Sequence, residues 1–411
     1  MKLLVIAQTF PYPLNTGSRN TIFHWIEALS RAHDVRLLFI GDPAEARESI
    51  PELPDVKIET MALNPVAPLS ARVARLAGAA VRGIPPTSLV AMTRSLRREV
   101  LRRVQEGGYD AVVLSENVVA GYAPVLSPLV PVVLLKHSVH AVDARDGRRR
   151  LGMWHPRWMI EEWMVKRFER KTCRAAGVVC TVNSEDAAEL ARRYRLAEPA
   201  EVVRIGVDFS RFPRRERDPG GAVIGFFGNM TWGANLDAVR WFADHILPKV
   251  WQKLPSAEFR IMGPGSDRVA FDRNDPRIVR CGECDIPNAM KDATIGVVPV
   301  ISGTGVRFKL LEMLRMGIPT VTTSLGALGT GGIHGEHTLI ADDEESFAGA
   351  VTLLLSDPAL RQKVSRAGAE LSEAHAWDRF YPRIRSVVER AASQGRAGRL
   401  PAATATERGA P

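Results

Sequence analysis

No apolar run in this chain approaches the roughly 20 residues needed to cross a bilayer as a helix. The opening, MKLLVIAQTF, is apolar but short, and no small-residue cleavage site follows it. It is expected to be a first strand rather than a leader. Cysteine is scarce. The four that occur, Cys173, Cys180, Cys281 and Cys284, do not suggest a disulfide scaffold in 411 residues. Cys281-Gly-Glu-Cys284 has C-x-x-C spacing, but a zinc site wants a second pair nearby and none is present. The chain has no G-x-x-x-x-G-K-[ST] phosphate loop, and its glycine-rich turns lack the third glycine of the dinucleotide fingerprint. No strand interleaves bases with stacking aromatics, so a nucleic-acid partner is not expected.

What is present is a hydrophobic fraction of 45% and a net charge of +9. The length suits two domains. The charge favours anionic partners, although arginine is abundant throughout and genomic composition accounts equally well for part of it. Short apolar runs alternate with amphipathic stretches, as in a parallel sheet covered by helices. In the first half, Lys2–Ala7, Asp34–Ile40, Val56–Met61, Ala111–Leu114, Val130–Leu135 and Val178–Val182 read as strands. Ser18–Ala32 reads as a helix with Ile22, Trp25, Ile26 and Leu29 on one face, Ser70–Glu106 as two basic helices broken at Gly83-Ile84-Pro85-Pro86, and Leu151–Ala176 as a long basic one. The charged, turn-rich RRERDPGG breaks the pattern, and a second alternation starts at Ala222, with strands at Val223–Phe227, Glu258–Met262, Arg277–Arg280, Ile295–Val300, Thr320–Thr323 and Thr338–Ala341 and helices that include Asn235–Lys253 and Ser346–Leu355. The expected organisation is a first domain over 1–205, a hinge over 206–221 and a second domain over 222–375. A C-terminal helix over 376–392 is expected to return to the first domain, and 393–411 is expected to be disordered.

Residues Ile295–Thr323, IGVVPVISGTGVRFKLLEMLRMGIPTVTT, carry the most information. A buried strand runs into Ser302-Gly303-Thr304-Gly305, then into a helix bearing Arg307, Lys309 and Glu312. Gly317-Ile318-Pro319 ends the helix. Unpaired amides at a helix N-terminus, the helix dipole and two adjacent bases favour an anion. A carboxylate two turns along can accept hydrogen bonds from sugar hydroxyls, which together suggests a nucleotide-derived ligand. Two Rossmann-like halves place such ligands in the cleft between them, at the carboxyl ends of strands. The loops found there contain Gly17, Glu116, Asn117, His137, His140, Asn183, Gly228, Asn229, Gly263 and Gly303–Gly305.

On these residues the chain resembles the retaining GT-B glycosyltransferases of family 4, also called glycosyl transferases group 1. The opening through Phe39 resembles the family's first strand, loop and helix. Ile205-Gly206-Val207-Asp208 with Phe212 resembles its interdomain signature. FFGNMTWGANLDAVRWFADHILP resembles its second-domain start, notably in members tied to exopolysaccharide clusters, and GTGVRFKLLEMLRMGIPTVTT its donor-binding segment. The resemblance implies a GT-B fold, with two Rossmann-like domains facing across a cleft, and a metal-independent enzyme that transfers a sugar from a nucleotide-sugar donor with retention of configuration. A non-catalytic nucleotide-sugar-binding or scaffold protein on the same fold is the alternative.

The site residues implied are Gly17, Gly228, Asn229, Gly263, Gly303, Thr304, Gly305 and Glu312 for the donor, with Glu312 gripping its ribose. Glu312 is the second glutamate of an E-x7-E motif whose first position is Thr304. His137 would hydrogen-bond the donor sugar, and Arg307 and Lys309 would meet the charge of the leaving diphosphate, since Gly228–Gly233 contains no base. Glu116, Asn117, His140 and Asn183 are expected on the acceptor side, with Lys136 a further candidate beside His137. No D-x-D occurs, so no metal or other cofactor is expected. The acceptor would be a glycan, a lipid-linked glycan or a small molecule. The protein is expected in the cytoplasm. The basic, Trp- and Met-rich segment Arg145–Arg174 would rest on an anionic membrane surface or else pack as a buried helix with a solvated basic face.

Overall fold

A computed structural model describes residues 1–47, 49–63, 83–150, 156–271 and 275–397. Strands β1 (Lys2–Ala7), β2 (Asp34–Gly41), β3 (Lys57–Ala62), β4 (Ala111–Ser115), β5 (Val132–Lys136), β6 (Val178–Thr181) and β7 (Glu201–Val202) form one sheet, in the order β3-β2-β1-β4-β5-β6-β7. Strands β8 (Val223–Phe227), β9 (Glu258–Met262), β10 (Ile278–Gly282), β11 (Ile295–Val298), β12 (Thr320–Thr322) and β13 (Leu339–Ile340) form a second, in the order β10-β9-β8-β11-β12-β13. Every pairing in both sheets is parallel. The central strands are continuous apolar runs because helices cover both faces; β4, β5 and β11 are buried along their whole length.

The helices begin where local chemistry permits. Helix α1 (Gly17–Ser30) starts after Thr16, whose hydroxyl accepts the Arg19 N–H, and buries Ile22, Trp25, Ile26 and Leu29. Helix α2 (His140–Arg150) follows β5, and α3 (Pro156–Ala175) follows α2. Asn183 caps α4 (Ser184–Tyr194). In the second lobe, α5 (Gly233–Trp241) follows β8 and α6 (Phe308–Arg315) follows β11. The helix expected over Asn235–Lys253 starts two residues earlier and passes through a π-turn, Phe242–Ile246, just before Pro248. Pro248 has no N–H for the helical ladder, which a local change of register accommodates.

Two chain crossings join the lobes. Val207 in the first is bridged to Ala376 in the second. Gly206 lies against Trp377 so closely that an added Cβ would come within 2.7 Å of its ring. Trp377 stacks on His24 of α1, with ring centroids 4.4 Å apart. The last helix, α7 (Tyr381–Ala397), then packs on α1, β4 and β5 of the first lobe. Ser393–Ala397, expected to be disordered, are therefore helical: α7 buries Ala391 and Ala392, and alanine favours its continuation. Residues 398–411 lie outside the described set, as do 64–82, which include most of the first of two basic helices expected over Ser70–Glu106. The second of those is seen at Arg94–Gly107. A single hydrophobic cluster runs from β1 and α1 through Ile205, Val207 and Phe212 to Phe227, Val298 and Trp377, so the interlobe crossings share one core. Each fully buried Leu, Ile or Phe in it contributes about 1.5–3 kcal/mol by burial.

Candidate active site

The carboxyl ends of both sheets point at the cleft, and a cavity of about 320 Å³ lies between them. Its first-lobe wall comes from the loop before α1 and that helix's first turns, and from His137 and Ser138 after β5. Its second-lobe wall comes from Gly228, Asn229, Trp232 and Asn235 around the start of α5, and from Thr304–Lys309 and Glu312 on the loop and helix after β11. Arg211 and Phe212 close it on the hinge side.

Helix α6 has no side-chain cap at its N-terminus, so no side chain competes with a ligand for its first amides. Lys309 is the second residue of that helix. Its ammonium donates to Asn235 Oδ1 at 2.5 Å and lies 3.2 Å from where a Cβ on Gly228 would be. Gly228 thus leaves room for the lysine at the end of β8, which is the base that the Gly228–Gly233 segment lacks. Burial lowers the Lys309 pKa to about 7, helped by the Arg307 charge and opposed by Glu312. Burial raises Glu312 to about 7, against the attraction of Arg211 and Lys309. Arg307 is also buried, but it donates to the Thr304 carbonyl at 2.9 Å and the Ser302 carbonyl at 3.1 Å. Its guanidinium therefore shapes the loop as well as charging the cavity.

His137 lies half-buried between Ser115 and Ser18, whose hydroxyls lie 3.2 Å from Nε2 and 3.3 Å from Nδ1. Burial and the neighbouring Lys136 charge lower its pKa to about 4. It is neutral at pH 7 and suited to orienting a hydroxyl rather than carrying a proton. Gly17 lines the cavity and faces Phe308 across the cleft; an added Cβ would stand 2.8 Å from that ring. Thr304, Gly305 and Asn229 also line the wall.

Six expected site residues do not reach the wall. Gly263 lies behind it: a Cβ there would be 2.4 Å from the Gly228 carbonyl, so its role is to let two strand ends approach. Gly303 (φ 91°) turns the loop, with an added Cβ 3.3 Å from Arg307 Nη2. Glu116, with φ at 81°, accepts from the Thr9 N–H and hydroxyl at 3.0 and 2.8 Å. Asn117 accepts from Lys136, and Asn183 is occupied in capping α4 through Asp186. The His140 N–H donates to Glu169 at 2.9 Å. Lys136 itself is fully buried in a 2.5 Å ion pair with Glu169. The side chains of Glu116, Asn117, Asn183 and Lys136 thus hold neighbouring loops or elements instead of lining the cavity.

Ser18, Arg211, Trp232 and Asn235 line the cavity and were not singled out in the sequence. Arg211 had a signal: it falls just before Phe212 in the interdomain signature. Among the described residues its buried Nη1 has no hydrogen-bond partner, and its charge is the strongest attraction acting on the Glu312 carboxylate. The wall thus carries three cations, Arg211, Arg307 and Lys309, against one carboxylate, Glu312.

A cavity lined by three basic side chains between two parallel-sheet lobes is the arrangement of the GT-B fold. Comparison with known proteins agrees. Residues 16–211 match the family model described as Glycosyltransferase Family 4, and 221–357 that described as Glycosyl transferases group 1. A 44.6 kDa protein of the cps region of Klebsiella pneumoniae is 29% identical over 133 residues, covering 30% of this chain and 34% of that protein. Glycogen synthase of Mycobacterium tuberculosis is 25% identical over 284 residues, covering 64% of each. The chain thus spans about a third and somewhat under two thirds of these relatives. The structure of Anabaena HepE in complex with UDP and glucose superposes with a TM-score of 0.69 at 14% identity, over 95% of this chain and 100% of that one. Each lobe thus matches a glycosyltransferase family model, and the chain has the GT-B fold.

Proposed function

We propose that this protein transfers a sugar from a nucleoside-diphosphate sugar to a glycan, lipid-linked or small-molecule acceptor, with retention of configuration and without a metal ion. The observation that carries this reading is the juxtaposition of Lys309 and the uncapped start of α6 with Glu312 one turn further on. It supports a cation and free amides for a diphosphate beside a carboxylate for a ribose. HepE, with UDP and glucose in its complex, supports the ligand class. When the bond from the anomeric carbon to the diphosphate oxygen breaks, negative charge grows on the departing phosphate. Lys309 and the α6 amides meet it in a water-poor cleft, where fixed charge is most effective. The acceptor hydroxyl enters on the face the diphosphate leaves, and its proton passes to a leaving-phosphate oxygen. Neutral His137 orients the donor sugar. Glu312 accepts hydrogen bonds from the ribose.

The test is a panel of UDP-, GDP- and dTDP-sugars with and without EDTA. The product anomer is read by NMR, and nucleoside-diphosphate binding is measured alongside. Transfer with retained configuration and no loss in EDTA is the expected result. Nucleotide binding with neither transfer nor donor hydrolysis would identify a non-catalytic binder instead.

For the acceptor side, α3 supports contact with an anionic bilayer. Met164, Val165 and Phe168 point into the first lobe, while Met159, Ile160 and Trp163 are about half exposed. Beside Trp163 opens a groove lined by Lys166, Arg167, Arg170, Lys171, Arg174 and Arg193. The residues Met153 and Trp154 of the same segment lie outside the described set. Among the described residues no helix is long and apolar enough to cross a membrane. An exposed apolar stripe beside a basic groove is the pattern of a helix lying at a lipid interface. Co-flotation with vesicles containing phosphatidylglycerol at low salt is expected, falling at least fivefold in the Trp163→Ser/Arg170→Ser/Lys171→Ser variant. Equal recovery of the two proteins would remove the membrane assignment.

A further inference from the structure

The Ser302–Gly305 loop is gripped from the opposite lobe. Asp143, in the first turn of α2, accepts both the Thr304 N–H and the Thr304 hydroxyl on one carboxylate oxygen, each at 3.0 Å. The Val139 N–H donates to the same hydroxyl oxygen at 3.0 Å. These three hydrogen bonds all cross the cleft. Gly305 then lies so near the His137 carbonyl that an added Cβ would stand 2.7 Å from it. The Thr304 N–H is therefore unavailable to a donor phosphate, which must bind further along, at Lys309 and the α6 amides.

Asp143 is itself held on a rigid support. The N–H groups of His140 and Ala141 donate to the buried Glu169 at 2.9 and 3.1 Å, and Lys136 and Tyr194 bind the same carboxylate. A fixed carboxylate on one lobe thus meets two donors on one residue of the other. Nothing in the donor or acceptor subsites needs this contact for binding; what it fixes is the spacing of the Thr304–Gly305 loop from the His137 loop.

We propose that Asp143 is a positioning residue which, through Thr304, sets the alignment of the two cavity walls around the donor sugar. The proposal rests on the reading of the cavity as a sugar-nucleotide site. Misplacement of reacting groups by about 1 Å can cost on the order of a hundredfold in rate, while the diphosphate grip belongs to the second lobe alone. Asp143→Ala is therefore expected to lower kcat about a hundredfold and to leave the nucleoside-diphosphate Kd within threefold. Asp143→Asn keeps an oxygen acceptor and is expected to lose less than tenfold. Thr304→Glu sets two carboxylates together and is expected to lose at least a hundredfold, and adding Asp143→Asn to it should restore at least tenfold. A support role confined to folding would give no such rescue.

The experiment measures kcat, KM and Kd for wild type and these four variants, with melting temperature as a check on folding. Unchanged kcat in Asp143→Ala, a parallel loss of Kd, or no rescue in the double variant overturns the proposal. If wild type turns over no donor, the reading of the site fails separately, and small-angle scattering of the UDP-bound protein decides the contact itself. Asp143→Ala is then expected to show a larger radius of gyration than wild type, and equal values overturn the proposal.

Discussion

Replacing Lys309 with alanine is expected to cut sugar transfer at least a hundredfold and to weaken nucleoside-diphosphate binding at least tenfold. Removing one preorganised group that meets developing negative charge costs about a hundred- to a thousandfold in rate. Lys309 is free to take that role, because its hydrogen-bond partner among the described residues is the neutral Asn235. Arg307 is tied to two carbonyls of its own loop, so Arg307→Ala acts by loosening the loop as well as by removing charge. The pairing of these two bases was expected from sequence; their unequal duties come from the structure.

A pH signature accompanies the loss. Buried Lys309, with its pKa near 7, is partly neutral in the ligand-free cleft. A diphosphate stabilises the ammonium and raises that pKa, so binding takes up a proton. Affinity then falls as pH rises above 7, by up to about tenfold per unit. Glu312 titrates in the same range with the opposite sign, because ribose hydroxyls favour its carboxylate. In Glu312→Gln the slope is that of Lys309 alone, with uptake approaching one proton near pH 8 by calorimetry in buffers of different ionisation enthalpy. Adding Lys309→Met to Glu312→Gln should abolish it. Uptake that persists in that double variant would place the proton elsewhere.

The second large effect is on stability. Lys136→Met is expected to destabilise the protein by about 3–5 kcal/mol, as breaking a buried ion pair does. Lys136 and Glu169 are each no more than 2% exposed. Burial opposes both charges, yet their attraction outweighs it, holding Glu169 below its ordinary value and Lys136 above its own. Without the lysine, Glu169 keeps Tyr194 and two backbone N–H donors but no compensating charge. Lys136→Met/Glu169→Gln is neutral, keeps an acceptor for those donors and should recover more than half of the loss. Urea unfolding measures both. A loss under about 1 kcal/mol in the single variant would mean that water or protonation relieves Glu169.

Much of the architecture was legible because its signals are local. Alternating apolar runs of four to eight residues separated by turns dictate parallel strands and crossover helices, and Val223–Phe227 and Glu258–Met262 fall where the pattern put them. The glycines of Ser302–Gly305 and the bases that follow mark an anion site by backbone chemistry within one segment. The strand-end loops were harder to sort. Glu116, Asn117 and Asn183 look as available in sequence as His137 does, yet each side chain is engaged by a neighbour that the primary structure does not reveal.

By itself the sequence determined two α/β halves, the break between them and a glycine-rich loop followed by bases at the end of one strand, because hydrophobic period and turn chemistry act over a few residues. Only the tertiary structure decided which polar side chains face the cleft, which charges are neutralised by burial and where the lobes touch. Those outcomes depend on residues brought together from far apart, as Asp143 and Thr304 are across 161 positions, and a charge acquires its cost or its use from such neighbours and the water they exclude.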